Sequence, residues 1–109
     1  MTEQSTRVAA VDCGTNSIRL LIHDIEHGEV SRRNTIVRLG QGVDETGQFA
    51  PEAFERTRAA LADYVDEMQR ERVTRVRMVA TSATRDAANR DDFFAMTREL
   101  LGQIQPDAV

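Results

Sequence analysis

The run Val8-Ala9-Ala10-Val11-Asp12-Cys13-Gly14-Thr15-Asn16-Ser17-Ile18-Arg19-Leu20-Leu21-Ile22 sets two apolar segments on either side of one acid, one glycine and small polar side chains. Arg7 to Val11 is short, apolar on both faces and partly β-branched, the pattern of a buried central strand. Ile18 to Ile25 alternates in part. Ile18, Leu20 and Ile22 fall on one side and Arg19, Leu21, His23 and Ile25 on the other, so this segment is expected beside the first strand. The break between the two reads in two ways. As a hairpin turn, Asp12 and Gly14 do no more than reverse the chain. As a ligand loop, Gly14 lets the backbone approach an anion closely, and the N–H groups and hydroxyls of Gly14, Thr15, Asn16 and Ser17 form an anion nest. A carboxylate repels phosphate, so Asp12 belongs in such a loop only if it holds Mg²⁺, directly or through water, and the ion bridges to phosphate oxygens. Arg19, two residues into the second strand, is then a charge-assisted donor.

Outward from this stretch, Glu26-His27-Gly28-Glu29 supplies a turn with a glycine available for positive φ, and Val30 to Leu39 reads as a third, more exposed strand carrying Arg32 and Arg33. The three strands make an antiparallel meander. Gly40, Gly42 and Gly47 punctuate a polar stretch ending at Ala50, where no regular structure is expected. From Pro51 the period becomes helical, with Phe54, Leu61, Tyr64, Val65 and Met68 on one stripe; Ala50 is a poor cap, so packing has to fix the helix start. Val73 to Ala80 alternates again and follows a crossover helix, which predicts a fourth strand parallel to an earlier one. Ser82 to Ala88 reads as a short helix, and Asn89-Arg90-Asp91-Asp92 as a capping box for a second one with Phe93, Met96, Leu100 and Leu101 inward, stopped by Gly102 and Pro106. The order is β-β-β-α-β-α, without repeats or low-complexity segments.

At 109 residues the chain has room for a single core, and its 40% hydrophobic and 29% charged residues are those of a globular domain. The formal charge of −4 argues against a nucleic-acid partner, so phosphate binding has to come from local geometry. Arg70, Arg72, Arg75 and Arg77 are diluted by Glu67 and Glu71 and lack interleaved aromatics, which reads as a solvated helix end rather than an RNA surface. One cysteine, Cys13, forms no internal disulfide, and no apolar run approaches a membrane span; a cytoplasmic, soluble protein with no membrane partner is expected. Cys13 has no base nearby in sequence and reads as a small buried thiol, while His23 and His27 lack the spacing of a zinc site or a triad.

The segment Ala80-Thr81-Ser82-Ala83-Thr84-Arg85-Asp86-Ala87-Ala88-Asn89 places hydroxyls and Arg85 where a strand gives way to a helix, the usual ligand end of an open α/β sheet; taken alone, it reads better as ordinary capping by Thr81 or Ser82 with Arg85 in a surface ion pair.

Three motifs in order then carry a resemblance. Asp12-Cys13-Gly14-Thr15-Asn16-Ser17-Ile18-Arg19-Leu20 is similar to the first phosphate loop of the exopolyphosphatase/guanosine pentaphosphate phosphatase (Ppx/GppA) family, Arg38-Leu39-Gly40-Gln41-Gly42 to its glycine-rich loop, and Ala80 to Phe93 to its next signature. The first motif resembles actinobacterial members best. The resemblance implies the α/β, ribonuclease-H-like half-domain of the actin, Hsp70 and sugar-kinase superfamily, here its N-terminal portion over residues 1–109. It implies a phosphohydrolase that releases terminal phosphate from inorganic polyphosphate or guanosine pentaphosphate with Mg²⁺. Residue by residue, it implies Asp12 as the catalytic, metal-organising acid, Gly14, Thr15, Asn16, Ser17 and Arg19 as phosphate ligands, and Arg85 as a further anion contact. The family's water-orienting glutamate and second phosphate loop have no counterpart up to Val109, so the chain alone is expected to be nearly inert, with a homo-oligomer, a dimer in the full-length protein, as its assembly. Two other readings stay open: an ATP-dependent kinase or ATPase of the same superfamily, and a non-catalytic polyphosphate-binding module.

Overall fold

In the computed structural model, which describes residues 6–80 and 86–105, the opening stretch is a hairpin. β1 (Arg7–Cys13) and β2 (Ser17–Asp24) pair antiparallel from Arg7 opposite Asp24 to Cys13 opposite Ile18, and β3 (Gly28–Ile36) adds to β2 to complete the meander. The third strand ends three residues before the expected Leu39, because Val37 and Arg38 turn to bond Asn16 instead of continuing the ladder. Gly28 has φ 97°, the left-handed conformation that the turn demanded of it.

The glycine-punctuated stretch is not wholly irregular. One helical turn, α1 (Val43–Thr46), lies between Gly42 and Gly47, both in the left-handed region, so the glycines taken as breakers are its two caps. Then comes α2 (Pro51–Arg70), with no side-chain cap at Ala50 and proline in its first turn. Its buried face is Ala53, Thr57, Ala60, Leu61, Tyr64, Val65 and Met68, with Phe54 half-buried at its margin. β4 (Arg75–Ala80) pairs parallel with β1, giving the order β3-β2-β1-β4 and placing β1 inside the sheet. α3 (Arg90–Leu101) closes the described chain, burying Phe93, Met96, Thr97 and Leu101.

The core fills the space between one face of the sheet and the two longer helices. Val11, Cys13, Ile18, Leu20 and Ile22 supply the sheet side, and Leu61, Tyr64, Val65, Met68 and Phe93 the helix side. Tyr64 ties the layers with polar bonds: its hydroxyl donates to the Ile18 carbonyl at 2.8 Å and meets Thr35 Oγ1 at 2.6 Å, while Arg33 lies 5.0 Å over its ring. Arg33 therefore faces α2, pairing with Glu67 at 3.1 Å, and only Arg32 points to the other face. Arg75 and Arg77 stand on the exposed side of β4, opposite Val8 and Ala10 of β1, as the alternation of the fourth strand predicts, so the reading of the arginine cluster as a helix end does not extend to them. The capping box is absent as well: Asn89 Oδ1 accepts the Phe49 N–H at 2.9 Å and its Nδ2 donates to the Phe49 carbonyl, so a contact 40 residues away in sequence takes the side chain from its own helix.

At the end of the sheet away from the β1–β2 turn, buried Asp24 closes the β2–β3 connection. Its Oδ1 accepts from Thr6 Oγ1 at 2.7 Å and from the Glu26 amide at 2.9 Å, and Arg7 lies 3.4 Å from Oδ2. The Thr6 hydroxyl first, then the Glu26 amide, with Arg7 and the His27 amide adding to them, hold this carboxyl at about 2, below the ordinary 3.8. The unfolded chain thus takes up a proton at higher pH than the native one. The stabilisation is complete above about pH 4 and disappears as pH falls toward 2. Urea unfolding of the wild type across this interval is expected to show an acid-side loss of stability that Asp24→Asn flattens.

Candidate phosphate site at the β1–β2 turn

At the carboxyl end of β1, Asp12 and Arg19 are direct cross-strand partners, with Val79 beside Asp12 on β4 and Asn34 beside Arg19 on β3. These side chains lie on the sheet face opposite the helices and border a shallow groove of about 490 Å³. Both Asp12 and Arg19 are exposed, and no ion pair engages either among the described residues.

The turn joining them, Gly14 to Ser17, is closed by the Gly14 N–H donating to the Ser17 carbonyl at 2.9 Å. A Cβ on Gly14 would sit 3.2 Å from that oxygen, which is why a glycine suits the position. Two other carbonyls of the turn are taken by a second loop. Thr15 O accepts from the Gly40 N–H at 2.8 Å, and Asn16 O accepts from the Val37 and Arg38 N–H groups at 2.9 and 2.8 Å. In a planar trans peptide the N–H opposes the C=O, so the amides of Asn16 and Ser17 are directed away from that second loop. The Asn16 amide donates to no described residue. The two readings of the break are therefore compatible: the residues form a hairpin, and the hairpin leaves amide hydrogen on its outer side.

The second loop is held tightly against the first. A Cβ on Gly40 would lie 2.2 Å from Thr15 Cγ2, a distance no real pair of carbons adopts, so glycine is the residue that permits this approach. Arg38 takes a left-handed φ of 52° as it donates to Asn16. From α2, Arg56 donates through Nε to the Val37 carbonyl at 2.8 Å and through Nη2 to Gln41 Oε1 at 2.9 Å, clamping the loop from behind. Sequence reasoning passed over Asn34 and Arg56, and quoted Arg38 only as part of the glycine-rich motif. The alternation along β3 would have placed Asn34 on the face of Arg19, whereas the clamp by Arg56 has no local sequence signal.

Of the residues singled out in sequence, Asp12, Gly14, Thr15, Asn16, Ser17 and Arg19 come together here, while Arg85 and the helix expected over Ser82 to Ala88 lie largely or wholly outside the described residues. Cys13 is fully buried behind the turn; burial first, and the neighbouring Asp12 charge second, push its thiol up to about 12. It is a packing residue and no nucleophile at neutral pH. Among the described residues no cluster of three or more histidine, cysteine or acidic side chains forms a metal cage, and no helix is long and apolar enough to cross a membrane.

The family model for "Ppx/GppA phosphatase family" matches residues 21–105. The chain belongs to this family. Exopolyphosphatase 2 of Mycobacterium tuberculosis is 60% identical over 108 residues, covering 93% of this chain and 34% of the relative. The crystal structure of the type II variant of the Aquifex aeolicus Ppx/GppA phosphatase superposes with a TM-score of 0.84 at 32% identity, over 91% of this chain and 34% of that one. An exopolyphosphatase from Cytophaga hutchinsonii gives a TM-score of 0.77 at 26% identity, over 90% of this chain and 31% of that one. The Ppx/GppA neighbours establish the fold class, the ribonuclease-H-like α/β half of the actin-like architecture. The chain spans about a third of the length of the relatives it matches.

Proposed function

We propose that residues 1–109 are the N-terminal portion of the first ribonuclease-H-like domain of an exopolyphosphatase-type phosphohydrolase, and that the β1–β2 turn is its first phosphate loop. One observation supports this most: Asp12 and Arg19 stand side by side at the mouth of a turn whose Asn16 amide donates to no described residue. Arg19, the outward amides of Asn16 and Ser17 and the hydroxyls of the turn bind the terminal phosphate of inorganic polyphosphate, with Gly14, whose own N–H closes the turn, allowing the close approach and Arg85 adding a contact. Guanosine pentaphosphate offers the same terminal anhydride and is the second substrate candidate.

Magnesium fits the donor set. A single exposed carboxylate with adjacent hydroxyls is too little for a protein cage, yet suits an ion that keeps most of its water and takes its remaining ligands from phosphate. Asp12 would hold it, with Thr15 or Ser17 nearby. Bound there, the ion would neutralise charge on the transferring phosphoryl group. The chain's own contribution is positioning: Arg19 orients the terminal phosphate, and Arg56, through the second loop, keeps the first loop's carbonyls occupied so that its amides face outward. Hydrolysis also requires a base to orient water. Asp12 is the sole carboxylate lining the groove among the described residues, so that base comes from elsewhere.

Calorimetric titration with polyphosphate is expected to show saturable, Mg²⁺-enhanced binding. Arg19→Ala should weaken it about tenfold, the loss of one charge-assisted hydrogen bond of roughly 1.4 kcal/mol, and Asp12→Asn should remove the Mg²⁺ enhancement. Binding of ATP in preference to polyphosphate would favour the kinase reading; no binding of either would overturn the phosphate loop.

A further inference from the structure

Among the described residues, Arg72 at φ 60° and Arg38 at φ 52° carry a side chain on a left-handed backbone. The conformation has a steric cost for any residue with a Cβ, so each needs a cause. Helix termination supplies it for Arg72. Its N–H donates to the Gln69 carbonyl and the next N–H, that of Val73, to the Met68 carbonyl, the paired bonds that end α2 on one left-handed residue. Arg38 ends no helix. It belongs to the second loop, where the chain bends out of β3 so that Val37 and Arg38 both donate to the Asn16 carbonyl. A glycine would make that bend without strain, and Gly42 and Gly47 serve at the other left-handed positions nearby.

The fold gains nothing from the Arg38 side chain in return. It is exposed, and no hydrogen bond or ion pair engages its guanidinium among the described residues, although Asp44 and Glu45 follow on α1. Arg33 and Arg56, on neighbouring elements, are both bonded. Arg38 also stands outside the groove that Asp12, Arg19 and Asn34 border, so it is not placed to share the phosphate that Arg19 holds. Yet its own N–H is bonded to the turn, and an arginine stem is long enough to carry a guanidinium past the turn's edge. We propose that Arg38 is a substrate-binding residue that distinguishes a phosphate chain from a single phosphate: with the terminal phosphate on the β1–β2 turn and Arg19, the guanidinium of Arg38 takes the phosphoryl group behind it. This rests on the phosphate-loop reading and adds a specificity to it. The planar fork of an arginine matches two oxygens of that phosphoryl group, and orthophosphate, which has no second group, leaves it unused.

The test titrates this chain with orthophosphate and with tripolyphosphate by calorimetry and follows stability by thermal melting. Arg38→Gly removes the charge and relieves the backbone together, so the melting temperature should rise by about 2–4 °C. Tripolyphosphate affinity should fall about tenfold in the same variant, while orthophosphate affinity stays within about twofold of the wild type. Arg38→Lys keeps a charge on the same backbone and should retain most of the affinity with unchanged stability. Arg19→Ala, which acts on the terminal phosphate, should weaken both probes. Greater stability together with a loss confined to the longer probe is a pair of signs that a purely structural role does not produce. Equal weakening of both probes by Arg38→Gly would make Arg38 a support of the turn, and unchanged tripolyphosphate affinity would remove it from the site; either overturns the proposal, as would a fall in melting temperature, while the phosphate loop stands as long as Arg19→Ala weakens binding. A wild type that takes up neither probe overturns the loop reading and Arg38 with it.

Discussion

Phe93→Ala is expected to lower the melting temperature of this chain by roughly 15–25 °C, as followed by circular dichroism. The ring is fully buried, and the other three phenylalanines of the sequence gather around it. Phe49 approaches with centroids 5.3 Å apart, Phe54 edge-on at 5.9 Å, and Phe94 at 5.9 Å. The cluster joins the segment before α2, the first turn of α2 and the first turn of α3. Removing the ring costs about 3–5 kcal/mol, against a total stability of about 5–15 kcal/mol for a domain of ordinary kind. Half-buried Phe94 supplies the control: Phe94→Ala should cost clearly less, and equal losses from the two variants would show that the cluster has no centre at Phe93.

The second large effect concerns the junction of the two loops. Gly40→Ala drives a methyl group into Thr15 Cγ2, so the loops have to part, at a cost of about 1–3 kcal/mol for an overpacked contact. Parting them releases the Thr15 and Asn16 carbonyls from their donors and lets the turn reorient. Polyphosphate affinity should then fall by more than stability alone explains. Thr15→Ser removes the offending methyl and keeps the hydroxyl, so the double variant Thr15→Ser/Gly40→Ala should recover most of the binding. If the double variant binds no better than Gly40→Ala, the clash is not what separates the loops. Gly42→Ala, by contrast, meets open space and suffers only the left-handed backbone, so it tests conformation without contact.

What could be read from sequence was what repeats at short range. The period of two in Ile18, Leu20 and Ile22, and the helical stripe through Leu61, Tyr64, Val65 and Met68, are buried as their spacing predicted, since each pattern has one solution that hides its apolar side. The parallel placement of β4 beside β1 followed from crossover handedness. Local signals misled where a distant partner outbid them. Asn89 had the chemistry of a cap, yet the backbone of Phe49 claims it. Arg33, read as exposed, turns inward because Glu67 and the Tyr64 ring wait on α2. The candidate site divides in the same way. Asp12, Gly14 and Arg19 were legible because neighbouring strands of a hairpin keep near residues near. Neither the packing of Gly40 on Thr15 nor the clamp by Arg56 was, because both depend on where α2 and the second loop come to rest.

Gln105 carries a last consequence. Its side-chain oxygen accepts the Val76 N–H at 3.0 Å, on the border of β4 that no strand occupies among the described residues. An intruding β-segment would pair through amides of this kind, and here one is already taken by an uncharged side chain. A newcomer has to exchange one hydrogen bond for another before it gains anything, which slows indiscriminate zippering between molecules while leaving the margin of the sheet available to a segment that brings enough bonds of its own.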